Sequence, residues 1–398
     1  MKQFHVAEIE GEYGPLTVSE RLVQKIWARG EFRQTDLLTQ EGASLEIVDL
    51  GSWNRLAGPD FKNVAIKVNG QLLNGDAELH FFESDWIAHG HEQDPAFANV
   101  ILHILVFPNK SPKQTSGCLV KHSLLLLELL PQGLESYAEE EALGVLAAGE
   151  ETALEESFLS LPLSERIPQL VKGAEKRWSA KVAYAAQRIA LLGWEEACHQ
   201  TALEILGYRY NRAAMLFVAG DYSLKSLRSG RFSATDLYEA GKGRWRLSGT
   251  RPANLPLHRL SQYQSWVEKN PYWPGELESL AEDLSELGRF SVIETDRKML
   301  KVSALRAQIS KSIIGDTVGG TRIENLICDG FLPLMAAHRE TSVFAHWYHW
   351  FPGDIPSVLK KLIITTCKGA NPKQPLCNGS IQGALQRLIE IRASTLRK

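Results

Sequence analysis

The sequence lacks the features that define several common classes of protein. No apolar run approaches the roughly 20 residues that a membrane-spanning helix needs. The first residues, MKQFHVAEIEGEYGP, contain no apolar signal-peptide segment, and neither a low-complexity tract nor an internal repeat is visible. We therefore expect a cytoplasmic globular protein, and a length of 398 residues predicts at least two domains.

Cysteine is scarce and shows no paired spacing. The five cysteines are Cys118, Cys198, Cys328, Cys367 and Cys377, and none forms a C-x-x-C pair. This pattern argues against a disulfide framework and against a zinc ribbon. Cys367 and Cys377 flank the loop KGANPKQPL, but no histidine lies beside them, so two structural cysteines are favoured over a shared metal site.

Charge is distributed unevenly along the chain, although the net charge is only −3. Residues 1–150 contain 11 Lys and Arg against 22 Asp and Glu, whereas the remaining residues contain 33 against 25. The first part is therefore acidic and the second part basic. This asymmetry predicts different partners for the two parts, with a polyanion as a candidate for the basic part.

The first third of the chain alternates helix and strand patterns. A helix is predicted from Thr17 to Gly30, with Thr17 as its N-cap and Glu20 three positions later. Strands are predicted in SLEIVDLGSW, FKNVAIKVNG, QLLNGDAELHFF, VILHILVF and CLVKHSLLLLEL, with Asn69-Gly70 as a hairpin turn and a short helix near residues 95–99. Residues 1–133 are thus expected to form an α/β domain with a mixed sheet flanked by helices.

Helical periodicity dominates after residue 133. Segments such as IPQLVKGAEKRWSAKVAYAAQRIALLGW and IQGALQRLIEIRASTLRK have the apolar spacing of helices, and strand patterns are rare. We expect residues 134–398 to form an all-α domain.

Polar residues cluster in the stretch between residues 58 and 94. Asp60 stands at the entry to one predicted hairpin strand, and Glu78 and His80 project from one face of the next strand. Two carboxylates held close together favour a hard cation such as Mg²⁺ or Mn²⁺. The alternative is that Asp60 bonds its own turn and Glu78 faces solvent on an edge strand.

This stretch resembles the PD-(D/E)XK nuclease-like superfamily. The resemblance lies in an acidic residue on the first helix, Pro59-Asp60 at the start of a strand, and the triplet Glu78-Leu79-His80 on the next strand. It implies an order of helix, three strands, helix and strand. It further implies that Asp60, Glu78 and the main-chain carbonyl of Leu79 hold a divalent ion, that Glu20 helps to position the ion or the substrate, and that the reaction is phosphodiester hydrolysis.

His80 departs from that pattern, because the superfamily usually has lysine at this position. A histidine with an ordinary pKa of about 6.5 is mostly neutral at pH 7 and does not supply a permanent charge. His80 is then a candidate general base or metal ligand. Lys67 on the neighbouring strand is a candidate source of the missing charge.

The arrangement GPDF, then G-D-x-E-x-H, then S-D-W-x-x-H-x-H-x-x-D is also similar to a family of uncharacterised bacterial proteins, a domain of unknown function. This resemblance covers nearly the whole chain. It implies no particular activity.

The segment SDWIAHGHEQD forms a second polar cluster. His89 and His91 alternate, so on an extended segment they point the same way, and Asp85 or Asp94 would complete a set of two imidazoles and a carboxylate. A metal role, a substrate or supporting role, and a structural loop all remain open. His103 lies on an apolar strand, where a hydrogen-bonded core histidine is expected.

A basic segment spans residues 208–259, with aromatic residues between its cations. Guanidinium groups pair with phosphates and aromatic rings stack on bases, so the segment is a candidate nucleic-acid track. Its candidate contact residues are Arg209, Arg212, Arg228, Arg231, Arg244, Trp245, Arg246 and Arg251. The alternative is a solvated helical surface above buried aromatic residues.

These patterns together predict a Mg²⁺- or Mn²⁺-dependent nuclease whose basic helical domain binds DNA or RNA. Two alternatives remain open. One is a non-catalytic adaptor that binds nucleic acid or protein through a degenerate nuclease core. The other is a metalloenzyme that uses His89 and His91 on a small molecule.

Overall fold

A mixed β-sheet forms the centre of the first of two units, residues 1–138 and 139–398, into which the chain divides. The structure is a computed structural model. It describes residues 20–107, 120–130, 134, 137 and 152–395, except residues 55, 121, 248–249, 283, 285–292, 340–341, 354–356 and 368–374.

The sheet has a mixed order of strands. Its strands are β1 (Leu37–Leu38), β2 (Ser44–Asp49), β3 (Ser52–Trp53), β4 (Phe61–Val68), β5 (Gln71–His80), β6 (Val100–Leu105) and β7 (Ser123–Leu125). The order across the sheet is β1-β2-β4-β5-β6-β7, and the short β3 pairs with β4. Strands β1 to β5 pair antiparallel, whereas β6 runs parallel to both β5 and β7.

The turn between β4 and β5 sets the register of the central hairpin. Asn69 and Gly70 have φ values of 49° and 83°, the left-handed backbone that a two-residue turn requires and that Asn-Gly tolerates. The hairpin then pairs Val68 with Gln71 and, at its far end, Phe61 with Ala77. This register brings the residue before β4 opposite the end of β5.

Helix α1 (Glu20–Ala28) lies on the sheet, where it contacts β3 and β5. Its apolar residues Leu22, Val23, Ile26 and Trp27 are buried, as their spacing predicts. The helix begins at Glu20 in the described part of the chain, so the predicted cap at Thr17 lies outside the described residues.

The connection from β5 to β6 is more helical than the sequence suggests. It contains helix α2 (Asp85–Ala88) and two short 3₁₀ helices, His91–Gln93 and Pro95–Phe97. The predicted strand CLVKHSLLLLEL is shorter in its described part, because a 3₁₀ helix, Leu127–Leu129, follows β7.

The second unit is helical wherever the structure describes it. Its longer helices are Thr152–Leu159, Leu163–Leu192, Trp194–Leu206, Tyr208–Asp221, Pro256–Lys269, Trp273–Glu282, Leu332–Arg339, Ser357–Cys367 and Asn378–Thr395. Shorter helices are Leu224–Arg228, Ala234–Ala240, Pro252–Asn254, Ile293–Met299, Val302–Gln308, Ile309–Ile313, Thr321–Asn325, Leu326–Phe331 and Phe344–His349.

A core rich in tryptophan holds these helices together. Trp266, Trp273, Trp347 and Trp350 are fully buried in it. The prediction of an α/β region followed by a helical region is confirmed. Among the described helices, none is both long enough and apolar enough to span a membrane.

Candidate metal centre

The sheet places three predicted site residues side by side. Asp60 directly precedes β4, and Glu78 and His80 lie at the end of β5, on one face of that strand. Because β5 lies between β4 and β6, it is an inner strand, and Glu78 is buried. The alternative in which Glu78 faces solvent on an edge strand is therefore wrong.

Hydrogen bonds hold Asp60 beside Glu78. The Asp60 main-chain N–H donates to Oε2 of Glu78 at 2.8 Å, and the Leu79 N–H donates to Oδ2 of Asp60 at 3.2 Å. Gln24 on α1 donates from Nε2 to Oδ1 of Asp60 at 2.7 Å. Each carboxylate oxygen has two lone pairs, so these contacts leave both carboxylates able to accept a cation.

Glu20, at the start of α1, is the third carboxyl group of this cluster. Its own pKa is raised to about 7 by burial and then by the negative charges of Asp60 and Asp85. Burial raises the pKa of Asp60 to about 6. Burial, followed by the charge of Asp60, raises the pKa of Glu78 to about 9. A bound cation would offset the unfavourable charge of such a group.

His80 faces three other histidines. Its Nε2 lies 3.2 Å from Nδ1 of His89 and 3.2 Å from Nε2 of His91. Its Nδ1 lies 2.9 Å from Nε2 of His103. His80 is thus at the centre of four imidazole rings.

Burial favours the neutral form of three of these imidazoles, those of His80, His91 and His103. Burial, and then the charges of the neighbouring imidazoles, lower the pKa of His80 to about 2. Burial lowers the pKa of His103 to about 4, and burial also lowers the pKa of His91. A neutral imidazole presents a lone pair to a cation, whereas it cannot provide the charge of lysine.

The two histidines of the HGH segment reach the site by a turn. The prediction that His89 and His91 lie on an extended segment is wrong. His89 ends α2, Gly90 has a φ of 74°, and His91 begins a 3₁₀ helix. Glycine adopts this left-handed backbone without a steric penalty, and the resulting reversal directs both rings toward His80.

Asp85 and Asp94, the predicted carboxylate partners, make local turn contacts instead. Oδ2 of Asp85 accepts the Phe82 N–H at 2.9 Å, and Oδ1 of Asp94 accepts the Ala96 N–H at 2.9 Å. The carboxylate beside the imidazoles is Glu78, whose Oε1 lies 3.3 Å from Nε2 of His91. The expectation that Asp85 or Asp94 completes the set is therefore corrected in favour of Glu78.

Aromatic rings surround the histidines. His91 stacks on Phe97 with ring centroids 3.8 Å apart, and the buried Trp86 meets His80, His91 and His103 edge to face. His103 is buried and hydrogen-bonded as predicted, but its partner is a site residue. It therefore belongs to the site as a support for His80.

Several residues of the site were not singled out from the sequence. Gln24 lies one helical turn after Glu20, a spacing that places both on one face of α1. Lys62 lies two residues after Asp60 and pairs with Asp76 at 2.9 Å. Lys67, the predicted source of charge, instead pairs with Glu46 at 2.8 Å on the antiparallel neighbour β2.

Among the described residues, His80, His89 and His91 form a group that can hold a metal ion. One nitrogen from each ring lies within 4.8 Å of the other two. With Glu78 beside them, the group offers three imidazoles and one carboxylate oxygen. The structure thus brings Glu20, Asp60, Glu78, His80, His89 and His91 to one region of the first unit.

The basic segment of the second unit divides into two kinds of cation. Arg212 pairs with Glu204 at 2.8 Å, and Arg228 pairs with Glu195 at 2.7 Å. Exposed cations are Arg231, Arg244, Arg246 and Arg251, while the side chain of Arg209 lies outside the described set.

The aromatic residues of this segment favour the alternative interpretation, in which a solvated helical surface lies above buried aromatic rings. Trp245 donates from Nε1 to the Tyr238 carbonyl at 2.8 Å, and its ring stacks on Tyr238. Both rings, like those of Tyr222 and Phe232, are partly buried against the helical core. Among these residues, four arginines are exposed and the aromatic rings are not.

Fold and site together define a chain with an α/β unit, which contains a histidine and carboxylate cluster, and a helical unit. Residues 20–240 match the family model described as "Protein of unknown function (DUF2851)", and the chain belongs to that family. Neither a curated protein nor a solved structure matches the chain.

Proposed function

We propose that the first unit is a divalent-metal-dependent nuclease that hydrolyses phosphodiester bonds of DNA or RNA. The observation that carries the proposal is the contact between Asp60 and Glu78, with Glu20 completing a three-carboxyl cluster at the end of a buried hairpin. Five strands follow α1, of which β1 and β3 have two residues each. The order of α1, the three longer strands β2, β4 and β5, a helical connection and β6 supports the PD-(D/E)XK resemblance.

The residues at this point suit a hard divalent ion such as Mg²⁺ or Mn²⁺, because the free lone pairs belong to carboxylate oxygens. Asp60, Glu78 and the Leu79 carbonyl would hold the ion. When bound, such an ion activates water and stabilises the charge that develops on the phosphate. Glu20, hydrogen-bonded by the Phe81 main chain, would orient the water from the α1 side.

Lys62 replaces the lysine that the triplet lacks. His80 is neutral, and Lys67 lies opposite Leu72 near the turn of the hairpin, away from Glu78, so neither supplies the positive charge. Lys62 follows Asp60 on β4, and its charge opposes the rise that burial and Asp60 cause in the pKa of Glu78. Its ammonium pairs with Asp76 at 2.9 Å and its side chain is 38% exposed, so a phosphate would share this charge with Asp76.

The exposed arginines of the second unit suit the phosphates of a nucleic acid. Arg231, Arg244, Arg246 and Arg251 stand within 21 consecutive positions and are exposed. Phosphate contacts of this kind give affinity without base specificity.

Cleavage assays test the proposal. Purified protein is incubated with single- and double-stranded DNA and RNA in Mg²⁺, Mn²⁺ or EDTA, together with the Asp60→Asn and Glu78→Gln variants. We expect metal-dependent cleavage that falls on the order of 100-fold or more in each variant, because each removes a ligand charge. The matched control is Glu46→Gln, which changes an exposed carboxylate on β2.

Cleavage that survives both substitutions would contradict the site assignment. Salt-sensitive binding without cleavage would support the non-catalytic adaptor instead. Neither binding nor cleavage of any of the four substrates would overturn the proposed function.

A further inference from the structure

We propose that His80, His89 and His91, with Glu78, bind a divalent transition-metal ion of the zinc class. The proposal adds a second kind of ion to the region in which we place the nuclease site. It shares Glu78 with that site, but it does not depend on nuclease activity.

The separations between the ligand atoms fit a single ion. Two ligands on a tetrahedral zinc ion, each about 2.0–2.1 Å from it, lie about 3.3–3.4 Å apart. In the structure Nε2 of His80 lies 3.2 Å from both Nδ1 of His89 and Nε2 of His91. Oε1 of Glu78 lies 3.3 Å from Nε2 of His91 and 3.6 Å from Nε2 of His80. Four of the six separations among these atoms are thus close to the edges of one tetrahedron, and the three imidazoles each offer a nitrogen within 4.8 Å of the other two.

His103 is placed to accept the proton of the His80 tautomer that this arrangement needs. Its Nε2 lies 2.9 Å from Nδ1 of His80, on the side of the ring away from the other three ligands. When Nδ1 of His80 carries the proton and donates it to His103, Nε2 of His80 presents a lone pair to the ion. Imidazole ligands of metals commonly donate their second nitrogen to a supporting group in this way.

The supporting shell orients the other rings and leaves an entrance. Phe97 stacks on His91, and the buried Trp86 lies against His80 and His91. His89 is exposed at the end of α2, so an ion can reach the site from solvent without a rearrangement of the sheet.

The donor atoms select the class of ion. Imidazole nitrogen suits zinc, iron, nickel and copper, whereas Mg²⁺ prefers oxygen ligands and octahedral geometry. Three nitrogens and one oxygen therefore favour Zn²⁺ over Mg²⁺. The two oxygens of Glu78 serve different neighbours, because Oε2 accepts the Asp60 N–H while Oε1 faces the imidazoles.

Calorimetric titration of Zn²⁺ into untagged, EDTA-treated full-length protein tests this inference. We expect one equivalent of Zn²⁺ to bind, and a millimolar excess of Mg²⁺ not to displace it. His89→Ala and His91→Ala should each weaken binding on the order of 100-fold or more, because each removes a ligand. Co²⁺ loaded in place of Zn²⁺ should give an absorption spectrum of four-coordinate geometry that both variants lose.

Two controls separate folding and nuclease activity from metal binding. His122→Ala removes a half-buried imidazole of the same unit and should leave Zn²⁺ affinity unchanged. Asp60→Asn should abolish cleavage while Zn²⁺ still binds, so failure of the nuclease proposal and failure of this one are distinguishable. Equal Zn²⁺ affinity in wild type, His89→Ala and His91→Ala, or no binding by the wild type, would overturn the inference.

Discussion

The histidine cluster of the first unit differs from His199 and His338 of the second unit in the partners that its rings face. In the first unit, His80 faces His89, His91 and His103, so rings of one kind meet one another. In the second unit, buried His199 lies between the Tyr263 hydroxyl at 2.7 Å and the Tyr222 carbonyl at 2.8 Å. His338 has a carboxylate partner, Glu278, at 2.9 Å.

The difference separates structural histidines from candidate ligands. A buried imidazole with a donor on one side and an acceptor on the other is satisfied by the protein itself. Nε2 of His80 instead faces two other ring nitrogens at 3.2 Å, and a single ring nitrogen has either one N–H or one lone pair, so it cannot make a full hydrogen bond with both. This arrangement is why we propose the histidine cluster of the first unit, rather than His199 or His338, as a metal site.

The largest effect on stability should come from a structural histidine. His199→Ala leaves a cavity and two buried polar partners, and we expect a loss of about 3–4 kcal/mol in the free energy of unfolding. The comparison variant, His89→Ala, removes an exposed ring and should cost less than about 0.5 kcal/mol in metal-free protein. Urea denaturation in EDTA measures the free energy of unfolding of both variants. Equal losses in the two variants would contradict the distinction between a structural and an exposed histidine.

Zinc should stabilise the protein only through the first unit. At a free Zn²⁺ concentration of 100 times the dissociation constant, linkage gives about 2.7 kcal/mol of added stability. His91→Ala should lose this increment, whereas His338→Ala, which removes a histidine paired with Glu278, should retain it. Thermal denaturation with and without Zn²⁺ provides the test. If Zn²⁺ stabilised both variants equally, the ion would bind at a site other than the histidine cluster.

Metal-free protein should lose stability as pH rises above neutrality because of Glu78. Its folded pKa is about 9, above the ordinary value of 4.5, so folded protein keeps a proton that unfolded protein has released. Raising the pH from about 6.5 to 8 should therefore cost up to about 2 kcal/mol. Glu78→Gln, compared with wild type in EDTA, should show a flatter stability profile over this range. If the stability of wild type and of Glu78→Gln changed in parallel with pH, Glu78 would not be the source of the pH dependence.

The exposed arginines of the second unit should have the smallest effects. Arg244→Ala and Arg246→Ala should each weaken nucleic-acid binding by about 1 kcal/mol or less and lower the salt dependence by about one counterion. Lys311→Ala, an exposed cation outside the basic segment, is the matched control. Fluorescence anisotropy over a range of salt concentrations measures these changes. An equal loss of nucleic-acid affinity in Lys311→Ala would indicate that binding depends on overall positive charge and not on these arginines.

The sequence predicted the hairpin and the part of the site that depends on it. Asn69-Gly70 set the turn, and alternation in β4 and β5 set the faces, so the proximity of Asp60 and Glu78 followed from local rules. The turn and the faces depend on short-range backbone preferences, which a single sequence carries. The site role of Glu20 was instead implied by the resemblance to the PD-(D/E)XK superfamily.

The histidine arrangement could not be predicted in the same way. It depends on the left-handed backbone of Gly90 and on a helical connection whose residues also suit a loop. It further depends on β6 running parallel to β5, which places His103 beside Glu78 in register. Such long-range pairing leaves little local pattern. The helical core is a similar case. The sequence predicts that its tryptophans are buried, but it does not predict which residues they contact.

X-ray absorption at the zinc edge tests the central claim most directly. The full chain is loaded with one equivalent of Zn²⁺, and wild type is compared with His89→Ala. We predict imidazole scattering from the wild type with Zn–N distances of about 2.0–2.1 Å, and a loss of part of that signal in the variant. A spectrum of sulfur ligands, or of oxygen ligands without imidazole, would contradict the metal centre described here.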